Sequence, residues 1–226
     1  MTERDAIFAR IREGLTVAAP MPGHHDAALG EHHETGGSFQ QWLPQVGESF
    51  DEQVAAFQKA SADLKTDFHL LESEAAAQAK LKEIATAEGW KKVATHRHQL
   101  TTSAVTALGL PSLTTDDGYD VQAMEQSGAG ISACDALVAQ TGSVLVTSRS
   151  AGGRALSVLP PHHVVLARRD QLVGDLTAAL QLVKRIYALD YPSFIGFITG
   201  PSRTGDIERI LVLGAHGPKK LTVLCW

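Results

Sequence analysis

Four short apolar runs, at 143–147, 163–167, 194–198 and 221–224, constrain the fold of this chain more than any other feature. Each is brief and continuous rather than alternating, so each reads as a strand buried on both faces. Helical patterns at 103–108 and 131–139 precede them, one at 171–189 falls between the second and third, and a shorter strand is read at 91–95. Buried strands alternating with helices predict an α/β domain, a largely parallel open sheet with helices on both faces. Ligands of such sheets bind beyond the carboxyl ends of the strands. The loops at 141–143, 149–154 and 199–205 are expected to converge there.

The first part of the chain is patterned differently. Ile7, Phe8, Ile11 and Leu15 fall on one face of a helix over 5–15, which Pro20-Met21-Pro22-Gly23 breaks. Residues 20–47 are rich in Gly, His and Pro without a lasting period, and read as an extended, flexible segment. Helical spacing resumes over 48–70 through Phe50, Val54, Phe57 and Leu64, and again over 72–88, where Gly89 stops it. The expected organisation is an N-terminal helical arm at 1–89 and an α/β domain at 90–226.

Composition excludes several classes. Hydrophobic residues make up 44% of the 226 and charged residues 20%, an ordinary globular balance. A net charge of −5 with no basic face argues against nucleic acid as a partner. The N-terminus leads into no apolar signal region, and no apolar run approaches the ~18 residues of a membrane span. A soluble, cytoplasmic protein is expected. Cys134 and Cys225 are the two cysteines. They lie far apart, outside any CxxC spacing, and are expected to be buried and reduced. An iron–sulfur cluster held by this chain alone would want about four thiolates.

The segment Gly200-Pro201-Ser202-Arg203-Thr204-Gly205-Asp206-Ile207-Glu208, followed by Gly214-Ala215-His216-Gly217-Pro218, carries the densest site chemistry. After the run at 194–198 it reads as strand, glycine-bounded loop, helix start. Such a helix start offers free backbone N–H groups to phosphate or carboxylate. Arg203 adds a planar fork, and Ser202 and Thr204 add hydroxyls. The same pattern is also ordinary strand-to-helix punctuation.

Taken with Gly130-Ile131-Ser132 and Asp135, with Ala139-Gln140-Thr141-Gly142-Ser143, and with Arg154 before Leu159-Pro160-Pro161, these segments resemble the LUD-domain family. The resemblance covers about residues 90–226 well and the arm loosely. It implies a fold similar to ribose-5-phosphate isomerase, glucosamine-6-phosphate deaminase, CoA transferases and formyltetrahydrofolate cyclo-ligase. It also implies the small subunit of a three-protein L-lactate oxidation system, with iron–sulfur clusters in the partner chains and no cofactor in this one. Where the family usually has Glu before Thr-Gly-Thr, this chain has Gln140 and ends with Ser143, so a carboxylate nucleophile is not supported there.

The ligand-binding candidates are Thr141, Gly142, Ser143, Arg154, Gly200, Ser202, Arg203 and Thr204, framing a pocket for a small anionic metabolite. Gly142 has an alternative reading as a helix C-terminus, and Arg154 as a solvated loop arginine. No catalytic residue is assigned. His216, Asp206 and Glu208 are candidates for acid–base work, against simpler readings as a loop-holding imidazole and as helix N-terminal charges. Two other functions stay open: a stand-alone isomerase, transferase or cyclo-ligase acting on a phosphorylated sugar, acyl-CoA or folate, and a metabolite-binding scaffold without turnover. No metal site is expected. His162 and His163, adjacent on a strand, point to opposite faces. His24, His25, His32, His33 and the His96-Arg97-His98 triplet lack ligands at metal spacing.

Overall fold

The computed structural model describes residues 3–16, 43–207, 210–213 and 216–226. Most of the segment read as extended at 20–47 lies outside them. Two compact units divide the chain, residues 1–40 and 41–226. The first contains α1 (Glu3–Thr16), with Ile7, Phe8 and Ile11 exposed on it.

The second unit opens with α2 (Phe50–Asp63), started by a capping box. Ser49 Oγ accepts from the Glu52 N–H, and the Glu52 carboxylate accepts from the Ser49 N–H. A turn follows in which Lys65 takes a positive φ of 65°. Next come β1 (Asp67–Leu70), α3 (Glu74–Ala87), β2 (Val93–Thr95), α4 (Gln99–Leu108), β3 (Ser112–Thr114), α5 (Val121–Glu125) and β4 (Ala129–Ser132). Gly109, in the left-handed region, closes α4. The rest is β5 (Ala136–Val138), β6 (Ser143–Thr147), β7 (His162–Ala167), β8 (Leu172–Val173), α6 (Leu176–Tyr187), β9 (Ile195–Ile198), β10 (Arg203–Ile207), β11 (Ile210–Leu213) and β12 (Lys220–Cys225).

The fold is α/β. A six-stranded sheet runs β1-β12-β7-β4-β2-β3 with all pairs parallel. Its side chains alternate between two cores. Val164, Leu166 and Leu224 face Ala77, Leu81 and Ala85 of α3 and Leu100, Ala104 and Val105 of α4. Val165, Ala167, Leu221, Val223 and Cys225 face Phe57 of α2 and a second sheet. That sheet has four strands in the order β8-β5-β6-β9 and is mixed, with β5–β6 and β6–β9 antiparallel. Its far side packs on Ala179, Val183 and Tyr187 of α6. The unit is therefore layered helix, sheet, sheet, helix, and α2, β1 and α3 share its core, whereas the sequence divided the chain at residue 89.

Two sequence expectations are corrected. Residues 131–139 are not a helix. They finish β4, bend at Asp135 and form β5, with Ile131, Ala136, Leu137 and Val138 fully buried. The alanines there suit either a helical or an alternating period, and pairing in two sheets decides. Residues 200–207 do not start a helix either. Arg203–Ile207 pair antiparallel with Ile210–Leu213, and the β-branched residues at 204, 207, 210 and 212 favour strand.

Candidate functional site

The cavity that gathers Arg154, Gly200, Ser202 and His216 of the sequence-predicted residues lies between the two sheets at the amino ends of β7 and β12. Its volume is about 280 Å³. Arg154, His163, Gly200, Ser202, His216 and Leu221 line it, together with Ser157, Thr199 and the apolar Val158, Phe194 and Ile198. His163 and Leu221 are register partners on neighbouring strands. The lining has one guanidinium, two imidazoles and several hydroxyls, and includes no carboxylate. That chemistry suits a small anion with an apolar part.

This position corrects the expectation of a site beyond the carboxyl ends. Of the three loops, 149–154 does reach that end at Gly152, which sits so close to His96 that a Cβ would lie 2.3 Å from the His96 Cβ. The other two meet at the amino end. Ser143 Oγ is 2.7 Å from both Thr141 Oγ1 and Thr199 Oγ1, a row of three hydroxyls that ends at the cavity lining. Gly142 is not a helix terminus. It turns β5 into β6 at a φ of 63°, pressed against Ala60 and Ser61 of α2. Gln140 is engaged elsewhere, donating from Nε2 to the Pro44 carbonyl at 3.1 Å.

The two C-terminal segments meet directly. The Ser202 N–H donates to the Pro218 carbonyl at 2.9 Å, and the Lys219 N–H donates to the Pro161 carbonyl at 2.8 Å, just before β7. Gly200, with a φ of 93°, passes under Leu64, where a Cβ would meet the Leu64 carbonyl oxygen at 2.8 Å. Arg203 heads β10, exposed, and is not among the residues lining the cavity. Asp206 belongs to β10 rather than to a helix start, and Glu208 lies outside the described residues.

Arg154 comes from a different segment, which also explains an otherwise bland glycine. The single turn Ala155–Ser157 that follows it lies on β4, with the Leu156 carbonyl over Gly130. Ser157 Oγ donates to the Arg154 carbonyl at 3.0 Å and steadies the turn.

The histidine pair divides as strand geometry requires. His162 faces α3, edge-on to Trp90 with centroids 5.3 Å apart, and its Nε2 is 2.9 Å from Thr222 Oγ1. His163 faces the cavity side, and its Nε2 is 2.8 Å from Ser132 Oγ. Burial is the main cause that lowers both imidazoles, to about 4 and about 3 respectively, so both are neutral near pH 7. His163 is the site residue that sequence reasoning passed over. Its signal was the pairing of β4 with β7, which one sequence does not display.

A second polar cluster lies nearer the carboxyl end. Tyr187 OH donates to Asp135 Oδ1 at 2.6 Å and Ser150 Oγ donates to Oδ2 at 2.5 Å. It joins α6 and the loop after β6 to the bend between the sheets. Cys134 and Cys225 are free and buried in the shared core, and burial raises both thiols.

The protein is thus a layered α/β domain with two sheets and a cavity between them. The chain matches the LUD domain over residues 54–225 and belongs to the LUD domain family. It is 35% identical over 105 residues to lactate utilization protein C of Anoxybacillus flavithermus, a stretch covering 46% of each chain. It is 37% identical over 103 residues to lactate utilization protein C of Geobacillus kaustophilus, covering 45% of this chain and 43% of that one. The matched stretches thus span a little under half of these relatives. In the crystal structure of a DUF162 family protein from Deinococcus radiodurans the fold recurs with a TM-score of 0.60 at 18% identity, covering 79% of this chain and 99% of that chain. Among the described residues no helix is long and apolar enough to cross a membrane.

Proposed function

We propose that this protein takes part in L-lactate utilisation as the subunit of an iron–sulfur lactate-oxidising complex that carries no cluster, and that its cavity holds a small carboxylate. The relatives named lactate utilization protein C supply the metabolic setting. The observation that carries the ligand reading is the cavity at the amino end of β7, with Arg154 and two histidines and without a lining carboxylate.

The chain's own residues do not fit an iron–sulfur cluster. Cys134 and Cys225 are two thiols where about four are wanted, both buried in an apolar core. Among the described residues no three His, Cys, Asp or Glu side chains gather as a metal site. In this reading the clusters sit on partner chains, electrons pass through those chains, and this subunit binds and orients the carboxylate.

Gentle affinity purification from lactate-grown cells tests the proposal. The expected result is a brown eluate containing cysteine-rich chains, with L-lactate oxidation that falls when this chain is depleted. A colourless lone protein, with oxidation undiminished in cells lacking it, overturns it.

A further inference from the structure

The next step rests on the cavity reading and deepens it. His163 is 1% exposed and lines the cavity. Its Nε2 meets Ser132 Oγ, whereas its Nδ1 is buried without a hydrogen-bond partner. Buried polar atoms are normally paired, so an orphan nitrogen on a cavity-lining residue points to a missing partner. A neutral imidazole carries one N–H, and the partner of one nitrogen sets the state of the other.

We propose that the Ser132 hydroxyl donates to His163 Nε2, which places the ring proton on Nδ1 and makes that N–H the donor that reads an oxygen of the small carboxylate held by Arg154. The charge of the cavity favours this tautomer. Carboxylate oxygens only accept hydrogen bonds. The opposite tautomer would turn the Nδ1 lone pair towards an anion and leave the pair repulsive. His163 is then a binding residue and Ser132 a positioning residue that acts through it. The buried environment keeps the ring neutral, so it distinguishes ligands by hydrogen bonding while Arg154 supplies the charge.

The test is imidazole nitrogen NMR on the full chain labelled with ¹⁵N-histidine, with His163→Gln used to assign the signals. The probes are L-lactate, pyruvate and inorganic phosphate, with affinities from calorimetry. The wild type is expected to show His163 as the neutral Nδ1–H tautomer, and L-lactate or pyruvate to move its Nδ1 signal. Ser132→Ala should mix or reverse the tautomer and weaken carboxylate binding on the order of tenfold. Ser132→Cys, which keeps the volume with a weaker donor, should fall between. A wild-type Nε2–H tautomer, or a tautomer unchanged in Ser132→Ala, overturns the inference. Binding that needs Arg154 but leaves the His163 signals still overturns it while the cavity reading stands. Phosphate moving Nδ1 where the carboxylates do not overturns the carboxylate assignment. If no probe binds, the cavity reading and this inference fall together.

Discussion

Gly130 on β4 lies so close beneath Leu156 that a Cβ at position 130 would sit 2.4 Å from the Leu156 carbonyl oxygen. The same contact seats the turn that follows Arg154. Gly130→Ala should therefore lift that turn off the sheet, with a stability loss of about 1–3 kcal/mol, the usual range for overpacking. Urea denaturation measures the loss, and calorimetry with L-lactate should show weaker binding in the same variant. Unchanged midpoint and affinity would mean that the turn is not anchored there.

Arg154 is exposed, so its replacement should separate binding from folding. Arg154→Ala is expected to leave the urea midpoint within about 0.5 kcal/mol of wild type and to weaken carboxylate binding at least tenfold, the scale of one charge-assisted contact. Arg203→Ala, outside the lining, should change affinity much less. The reverse ranking would move the anion site to the head of β10.

Acid should unfold the protein early. Burial holds His96, His162 and His163 near about 4, about 4 and about 3 in the folded state, against 6.5 for a free imidazole. Because the folded values are the lower ones, the unfolded chain binds more protons between them. The stabilisation is complete above pH ~6.5 and drains as pH falls, towards about 4 for His96 and His162 and about 3 for His163. Urea midpoints at pH 7.5, 6 and 5 should decline steadily, and less steeply in His163→Gln. A flat profile over that range would contradict buried neutral imidazoles.

Phe57 is fully buried, edge-on to Phe68 with centroids 4.8 Å apart. It is the residue by which α2 enters the core between the sheets. Phe57→Ala should cost about 3–5 kcal/mol, and a loss under 1 kcal/mol would show that α2 is not integral to the fold.

Asp135→Asn keeps the shape but replaces one acceptor oxygen with a donor facing Tyr187 or Ser150. A loss of about 1–3 kcal/mol is expected, with little change in carboxylate affinity, because Asp135 does not line the cavity. An affinity loss without a stability loss would assign Asp135 to the ligand instead.

Much of this architecture is legible in the sequence because it rests on local signals. Gly89 and Gly109 end their helices at positive φ, and the apolar runs leading to β6, β7, β9 and β12 are too short for anything but strands. The errors fall where local signals are neutral. Ala133, Ala136 and Ala139 fit a helix or a strand, and only the neighbouring sheets decide. Asp67–Leu70 looks like the tail of a helix until β12 pairs with it. The site residues Arg154, Gly200, Ser202 and His216 are visible as residue types between glycines and prolines. That they meet at the amino end follows from strand order and from contacts such as Ser202 to Pro218, which no periodicity encodes.

Strand order also bears on how the molecule comes into being. β12 lies between β1 and β7, paired in parallel with both. On a ribosome, every other strand of the six-stranded sheet is made before the one that joins β1 to the rest. Until residues 220–225 leave the exit tunnel, β1 has no partner, His163 has no Leu221 beside it, and the cavity lacks a wall. The proposed binding thus waits on β12: a nascent chain that has not yet freed it has no closed cavity to offer a ligand.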